Sequence, residues 1–165
     1  MSVGTIQEAK SLSERWMSDM GYFTREVTPC PDDLNFVLEG MSPNGIPFII
    51  IHPKKLPRAI VVIVNVRVTE SSFASLSSLN KNDRDEFLWN LQREIMFAPP
   101  SFFFEPTFED GGIPRIIQFS EDIWYDELTE GRLAKAVNDT VRSALWVIWS
   151  FRRKFGKPTE VKPIE

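Results

Sequence analysis

The chain reads as an α+β domain, an antiparallel sheet of five or more strands packed with helices in the order α-β-β-β-α-β-β-α. Three observations predict it. Apolar residues recur at helical spacing near both ends of the chain and once in its middle. Three β-favourable runs, 33–41, 46–52 and 59–69, follow one another through connections of only a few residues. Connections that short join antiparallel neighbours, because a parallel pair needs a crossover of a dozen residues or more. Two further β runs flank Glu109-Asp110-Gly111-Gly112, a hairpin-type turn.

Thr5 and Glu8 have capping-box spacing, and Ala9, Leu12, Trp16 and Met20 then fall on one side of a helix over residues 6–20. Gly21 suits the stop. Tyr22 to Thr28 is short and β-favourable, and adds a possible extra strand before Pro29 and Pro31. Leu34, Phe36 and Leu38 alternate along the first strand of a meander, Ser42-Pro43-Asn44-Gly45 turns the chain, and IVVIVNVRV is its strongest β segment. Residues 71–97 read as one helical region, with Asp83 and Glu86 in capping positions and Leu88, Leu91 and Ile95 as an apolar stripe. Residues 101–108 and 113–120 form the hairpin. The last helix starts near Leu128 or Thr129, carries Leu133, Val137, Val141, Leu145 and Ile148 on one stripe, and ends at Gly156. A single domain over 1–156 with a polar tail over 157–165 is the expected organisation.

Composition bounds the function. The 165 residues carry 19 Lys and Arg against 23 Asp and Glu, a net charge of −4, so the phosphate grip of a nucleic-acid binder is not expected. One cysteine forms no internal disulfide, and the apolar runs are far short of the ~20 residues that span a bilayer. The opening MSVGTIQEAK has neither the basic start nor the apolar run of a signal peptide, so the expected location is the cytoplasm.

Several stretches together carry a family resemblance: the first helix ending in MGYF, the meander LNFVLEG–IPFIIIHP–AIVVIVNVRV, the helix DEFLWNLQREI, and IWYDELTEGRLAKAVNDTV. With these, the chain resembles an uncharacterised archaeal conserved-protein family that has the fold of the type III secretion chaperones. The resemblance implies a scaffold that dimerises and binds other proteins, with the related chaperones pairing through the middle helix, here Asp83 to Phe97. It brings no catalytic residue, and fold alone does not fix function.

The chemistry-bearing residues are scattered. His52 is the only histidine, so no metal site or catalytic dyad of histidines can form within the chain, and no cofactor or metal is expected. Cys30 stands between two prolines and beside Asp32 and Asp33, which oppose thiolate formation. His52→Gln and Cys30→Ser are each expected to change stability by no more than about 0.5 kcal/mol. The acidic pairs Asp32-Asp33, Glu109-Asp110 and Glu121-Asp122 read as solvated turns; gathered in one pocket they would instead support a carboxylate- or metal-dependent enzyme. No phosphate-binding glycine loop or nucleophile elbow is present. Lys54, Lys55 and Arg58, with Arg152, Arg153, Lys154 and Lys157, leave a weak RNA-binding module as a further alternative, although a guarded hairpin and a dipole-matched helix end explain them as well. The phenylalanines at 102, 103, 104 and 108 alternate faces, as sheet core does.

One segment departs from an ordinary amphipathic helix. ALWVIWSF, residues 144–151, is apolar on nearly every side, and a helix that is apolar all round must be covered all round. Leu145 and Ile148 extend the inner stripe, whereas Trp146 and Trp149 point elsewhere. Trp146 and Trp149, rimmed by Arg142 and Arg153, are therefore the expected partner-binding residues, with a homodimer as the first expectation and another protein as the second. The expected function is a non-enzymatic, chaperone-like interaction module.

Overall fold

A computed structural model describes residues 3–106, 112–156 and 160–161. Helix α1 (Ile6–Asp19) is followed by strands β1 (Phe23–Glu26), β2 (Leu34–Met41), β3 (Pro47–Pro53) and β4 (Ala59–Arg67). Helices α2 (Glu70–Ser78) and α3 (Lys81–Met96), strands β5 (Ser101–Glu105) and β6 (Ile116–Trp124), and helix α4 (Glu130–Phe155) complete the main body, with a two-residue strand β7 (Glu160–Val161) beyond. The strands are ordered β1-β2-β3-β4-β6-β5 in one sheet, and β7 pairs with β4 at Val66 and Arg67. Every pairing is antiparallel.

The α+β class, the antiparallel meander and the long helices at both ends are as expected from sequence. The short run after Gly21 forms an edge strand, the extra strand that the sequence allowed. Two details differ. The expected middle helix is two helices. Leu79 leaves the helical region with ψ near 148°, and the Asn80 side chain accepts a hydrogen bond from Asp83 N, which starts α3. The cap of α3 is therefore Asn80 and not Asp83. Upstream, the Ser77 and Ser78 hydroxyls bond carbonyls one turn back, the local competition that makes serine a weak helix interior residue. The second hairpin is offset as well: β5 ends before Pro106, and β6 runs on to Trp124. Its expected tip, Glu109-Asp110-Gly111, lies outside the described residues.

At the first helix Thr5 is the N-cap that the spacing implies, and only the return bond of the capping box is displaced by one residue. Thr5 accepts from Glu8 N at 3.1 Å, but the Glu8 carboxylate reaches Gly4 N at 2.9 Å. Gly21 follows with φ +73°, a backbone region open to glycine at little cost.

All four helices lie on one face of the sheet. The larger apolar cluster joins residues of every helix to Phe36, Leu38, Ile50, Val62, Val64, Phe119 and Ile123. The smaller cluster on the opposite face, Val37, Ile49, Val61 and Ile63, is covered by strand and loop residues alone. Both faces of the central strands are thus apolar, which is why β4 reads as a continuous β-branched run and does not alternate. Phe151 of α4, fully buried, meets Phe87 of α3 edge-on at 5.2 Å and Phe155 at 5.9 Å, and this aromatic knot ties α3 to α4.

The exposed tryptophan crest of the last helix

Helix α4 is 26 residues long and crosses β4 and β6. Thr129 caps its start by accepting from Arg132 N, and Gly156, with φ 65°, ends it. Its start is also anchored electrostatically. Arg132 Nη1 lies 2.6 Å from Glu121 Oε1, so Glu121 is a strand residue of β6 facing the helix layer. The Glu121-Asp122 pair is therefore not a turn as expected, because β6 continues through it.

The crest follows from helical geometry. Arg142, Trp146, Trp149 and Arg153 are spaced four, three and four apart and share one side. Ala144, Ile148, Phe151 and Phe155 each come two residues later, about 200° round the helix, and pack into the core. Trp146 and Trp149 consequently point straight away from the sheet, with 41% and 55% of their surface exposed. Within ALWVIWSF, Val147, Ile148 and Phe151 are buried, and no described part of the chain closes over the two indoles.

Beside the crest, towards the C-terminal end of α3, runs a groove of about 310 Å³ lined by Glu94, Ile95, Ala98, Pro99, Asp139, Arg142, Ser143 and Trp146. Met96 and Phe97, 84% exposed in the case of Phe97, follow at the end of that helix. The sequence offers no periodic signal for this wall, since it depends on α3 lying antiparallel to α4. Arg142 and Arg153 are exposed and form no ion pair with any described residue. The middle helix has its own outward apolar residues, Trp89 and Met96, whereas Leu88, Leu91 and Ile95 are buried as expected.

The remaining candidates are dispersed. Among the described residues no three His, Cys, Asp or Glu side chains gather as a metal site. Lys54 donates to the Asp32 carbonyl at 2.6 Å, which ties the basic hairpin to the Asp32-Asp33 loop. Phe104 is buried, Phe102 half-buried and Phe103 52% exposed, the alternation expected of the strand; Phe108 and Lys157 lie outside the described residues. Burial raises the Cys30 thiol pKa, with Glu26 and Asp33 adding to the rise and Lys54 opposing it, so the thiolate is disfavoured.

His52 corrects an expectation. It is fully buried, with Asn35 Nδ2 at 2.9 Å from Nδ1 and the Tyr125 hydroxyl at 2.6 Å from Nε2. An amide nitrogen only donates, so Nδ1 accepts and Nε2 carries the proton. Removing the ring leaves the buried Tyr125 hydroxyl without its partner, while the exposed Asn35 amide can turn to water, and His52→Gln should lose about 1–3 kcal/mol rather than about 0.5. Burial lowers the His52 pKa below 6.5. A depressed base makes the unfolded chain the better proton acceptor. Its stabilising contribution is complete above pH 6.5 and is lost as pH falls through the folded-state pKa. Wild type should therefore show a denaturation midpoint that drops on acidification below neutrality more steeply than that of His52→Gln; equal slopes would remove His52 as the titrating group.

A single antiparallel sheet layered on one side by helices, with an exposed aromatic crest on α4, defines the class of this protein as α+β. The chain belongs to the family described as Uncharacterized conserved protein (DUF2299), which it matches over residues 10–151. Among solved structures it is similar to an uncharacterized protein from Methanothermobacter thermautotrophicus, with a TM-score of 0.81, 20% identity, and coverage of 90% of this chain and 99% of that one. Weaker likenesses, each with a TM-score of 0.49, link it to chains of the HopA1–SchA chaperone–effector complex and of the ExsC–ExsE complex. They have 9% and 11% identity, cover 82% and 94% of this chain, and cover 89% and 96% of those. No curated protein matches. Among the described residues no helix is long and apolar enough to cross a membrane.

Proposed function

We propose that the chain is a non-enzymatic, cytoplasmic protein-interaction module of the chaperone-like kind that its sequence resemblance implies, working as a homodimer. Its binding anchors are Trp146 and Trp149, with Arg142 and Arg153 as the rim. The observation that carries this reading is the pair of indoles on the side of α4 opposite the core, 41% and 55% exposed. Covering one such side chain contributes on the order of 2–3 kcal/mol, and tryptophan and arginine are the residue types that dominate interface energetics. The exposed Trp89 and Met96 on α3 supply a second apolar surface, so pairing and partner binding have separate helices available.

Light scattering tests the reading. Wild type should run at twice the chain mass. Trp146→Glu with Trp149→Glu, and separately Trp89→Glu with Met96→Glu, place charges on exposed positions and should leave the fold intact. The variant that falls to a monomer identifies the pairing helix. A wild-type monomer at high micromolar concentration would end the homodimer proposal.

A further inference from the structure

Resting on the reading of the α4 crest as a binding surface, we infer that its occupant is an acidic, apolar-anchored helical segment of another protein and not a second copy of this chain. The charges around the crest carry the inference. Lys135 is paired with Asp139 one turn away. Lys154 shares a groove with Asp83 and Glu86 at the start of α3. Arg152 lies in the last turn, where the helix dipole favours a cation. Arg153 has that same benefit, but Arg142, in the middle of the helix, lacks it and forms no ion pair among the described residues: Glu94 and Asp139, which line the groove beside it, are paired with Arg93 and Lys135. Two exposed tryptophans are thus bracketed by two cations about 16 Å apart along the axis, given 1.5 Å of rise per residue.

Symmetry then selects the occupant. In a twofold contact each surface meets itself, so residues pair reciprocally. An antiparallel crossing centred between Trp146 and Trp149 sets Arg142 against Arg153 of the partner subunit, because both pairs are equidistant from that centre. A parallel crossing sets each arginine against its own copy. Either way cation faces cation around a desolvated aromatic centre, and like-charge juxtaposition at an interface is costly. A segment with Glu or Asp flanking apolar residues at helical spacing satisfies both arginines and lays its apolar stripe on the indoles. The groove between α3 and α4, at about 310 Å³, lies at the small end of ligand sites and has room for one anchoring side chain against Ile95, Ala98 and Pro99.

The test uses the full chain and two synthetic amphipathic peptides with leucines at positions i, i+3, i+4 and i+7 of each repeat, one with glutamate and one with lysine elsewhere. Their binding is read by fluorescence anisotropy. The glutamate peptide should bind about tenfold or more tighter than the lysine peptide, with an advantage that shrinks as salt rises. Arg142→Glu with Arg153→Glu should invert the preference. Trp146→Ala with Trp149→Ala should weaken binding of the glutamate peptide about tenfold while leaving the light-scattering mass unchanged. Equal affinities, no binding of the glutamate peptide, or a preference that survives the arginine reversal would each overturn the inference. If the tryptophan variant instead falls to half the wild-type mass, the crest is covered by a second copy: the inference fails and the interaction reading stands. If neither mass nor peptide binding responds to the tryptophans, the interaction reading of the crest fails with it.

Discussion

Phe151→Ala is expected to lose about 3–5 kcal/mol of folding stability, the usual cost of truncating a buried phenylalanine. The ring is fully buried and stands edge-on to Phe87 at 5.2 Å, so its loss opens a cavity and also unties α3 from α4. Domains of this size are stable by only about 5–15 kcal/mol, so the variant should lie close to its unfolding threshold at room temperature. Denaturant unfolding followed by far-ultraviolet circular dichroism measures it. A loss below about 1.5 kcal/mol would mean that Phe87 and Phe155 close over the gap more completely than their ring geometry implies. Trp149→Ala, two residues away on the crest, should stay within the roughly 0.5 kcal/mol of an ordinary surface change.

Gly40→Val is expected to destabilise by about 3 kcal/mol through overpacking, the upper end of the usual range. Gly40 lies in β2 directly opposite Phe48 of β3, on the face that α1 covers. A Cβ at this position would lie 2.5 Å from Phe48 Cζ and 2.8 Å from Met17 Cε. Met17 can swing its terminal methyl aside, but Phe48 is fully buried, and its rigid ring can yield only by shifting within the groove it lines with Thr24, Met41 and Pro47. Alanine should therefore cost less than valine, and thermal unfolding of both variants gives the order. If valine is tolerated as well as alanine, α1 must move as a body on the sheet. The requirement for glycine here is steric; unlike Gly21 and Gly156, the residue has no positive φ.

The sequence was most legible where one physical cause acts locally. Helix α4 announces its start through Thr129, its end through Gly156, and its inner stripe through Leu133, Val137, Val141 and Ile148, because caps and periodicity act within a few residues of each other. The break between α2 and α3 was harder. Leu79-Asn80 carries neither proline nor glycine, and the capping residue Asn80 competes in the same window with Asp83 as an equally plausible cap. His52 was misread because a residue beside Pro53 at a strand end usually meets solvent. Its ring is buried by Tyr125, 73 residues further on, and no local pattern encodes that meeting.

By itself, the sequence determined the α+β class, the antiparallel meander, the helices at both ends and the surplus of apolar side chains on α4. Those follow from periodicity, turn chemistry and connection length, all of them short-range. Only the tertiary structure decided which faces are covered. It placed all four helices on one side of the sheet, buried Val147, Ile148 and Phe151, and left Trp146 and Trp149 outside. It also laid α3 antiparallel to α4, so that Glu94, Ile95 and Pro99 became the far wall of a groove beside Arg142. The physical reason is that burial is a relation between elements distant in the chain. A tryptophan in ALWVIWSF has the same local pattern whether a neighbouring helix covers it or water does, and the arrangement of α4 on β4 and β6 alone chooses between them.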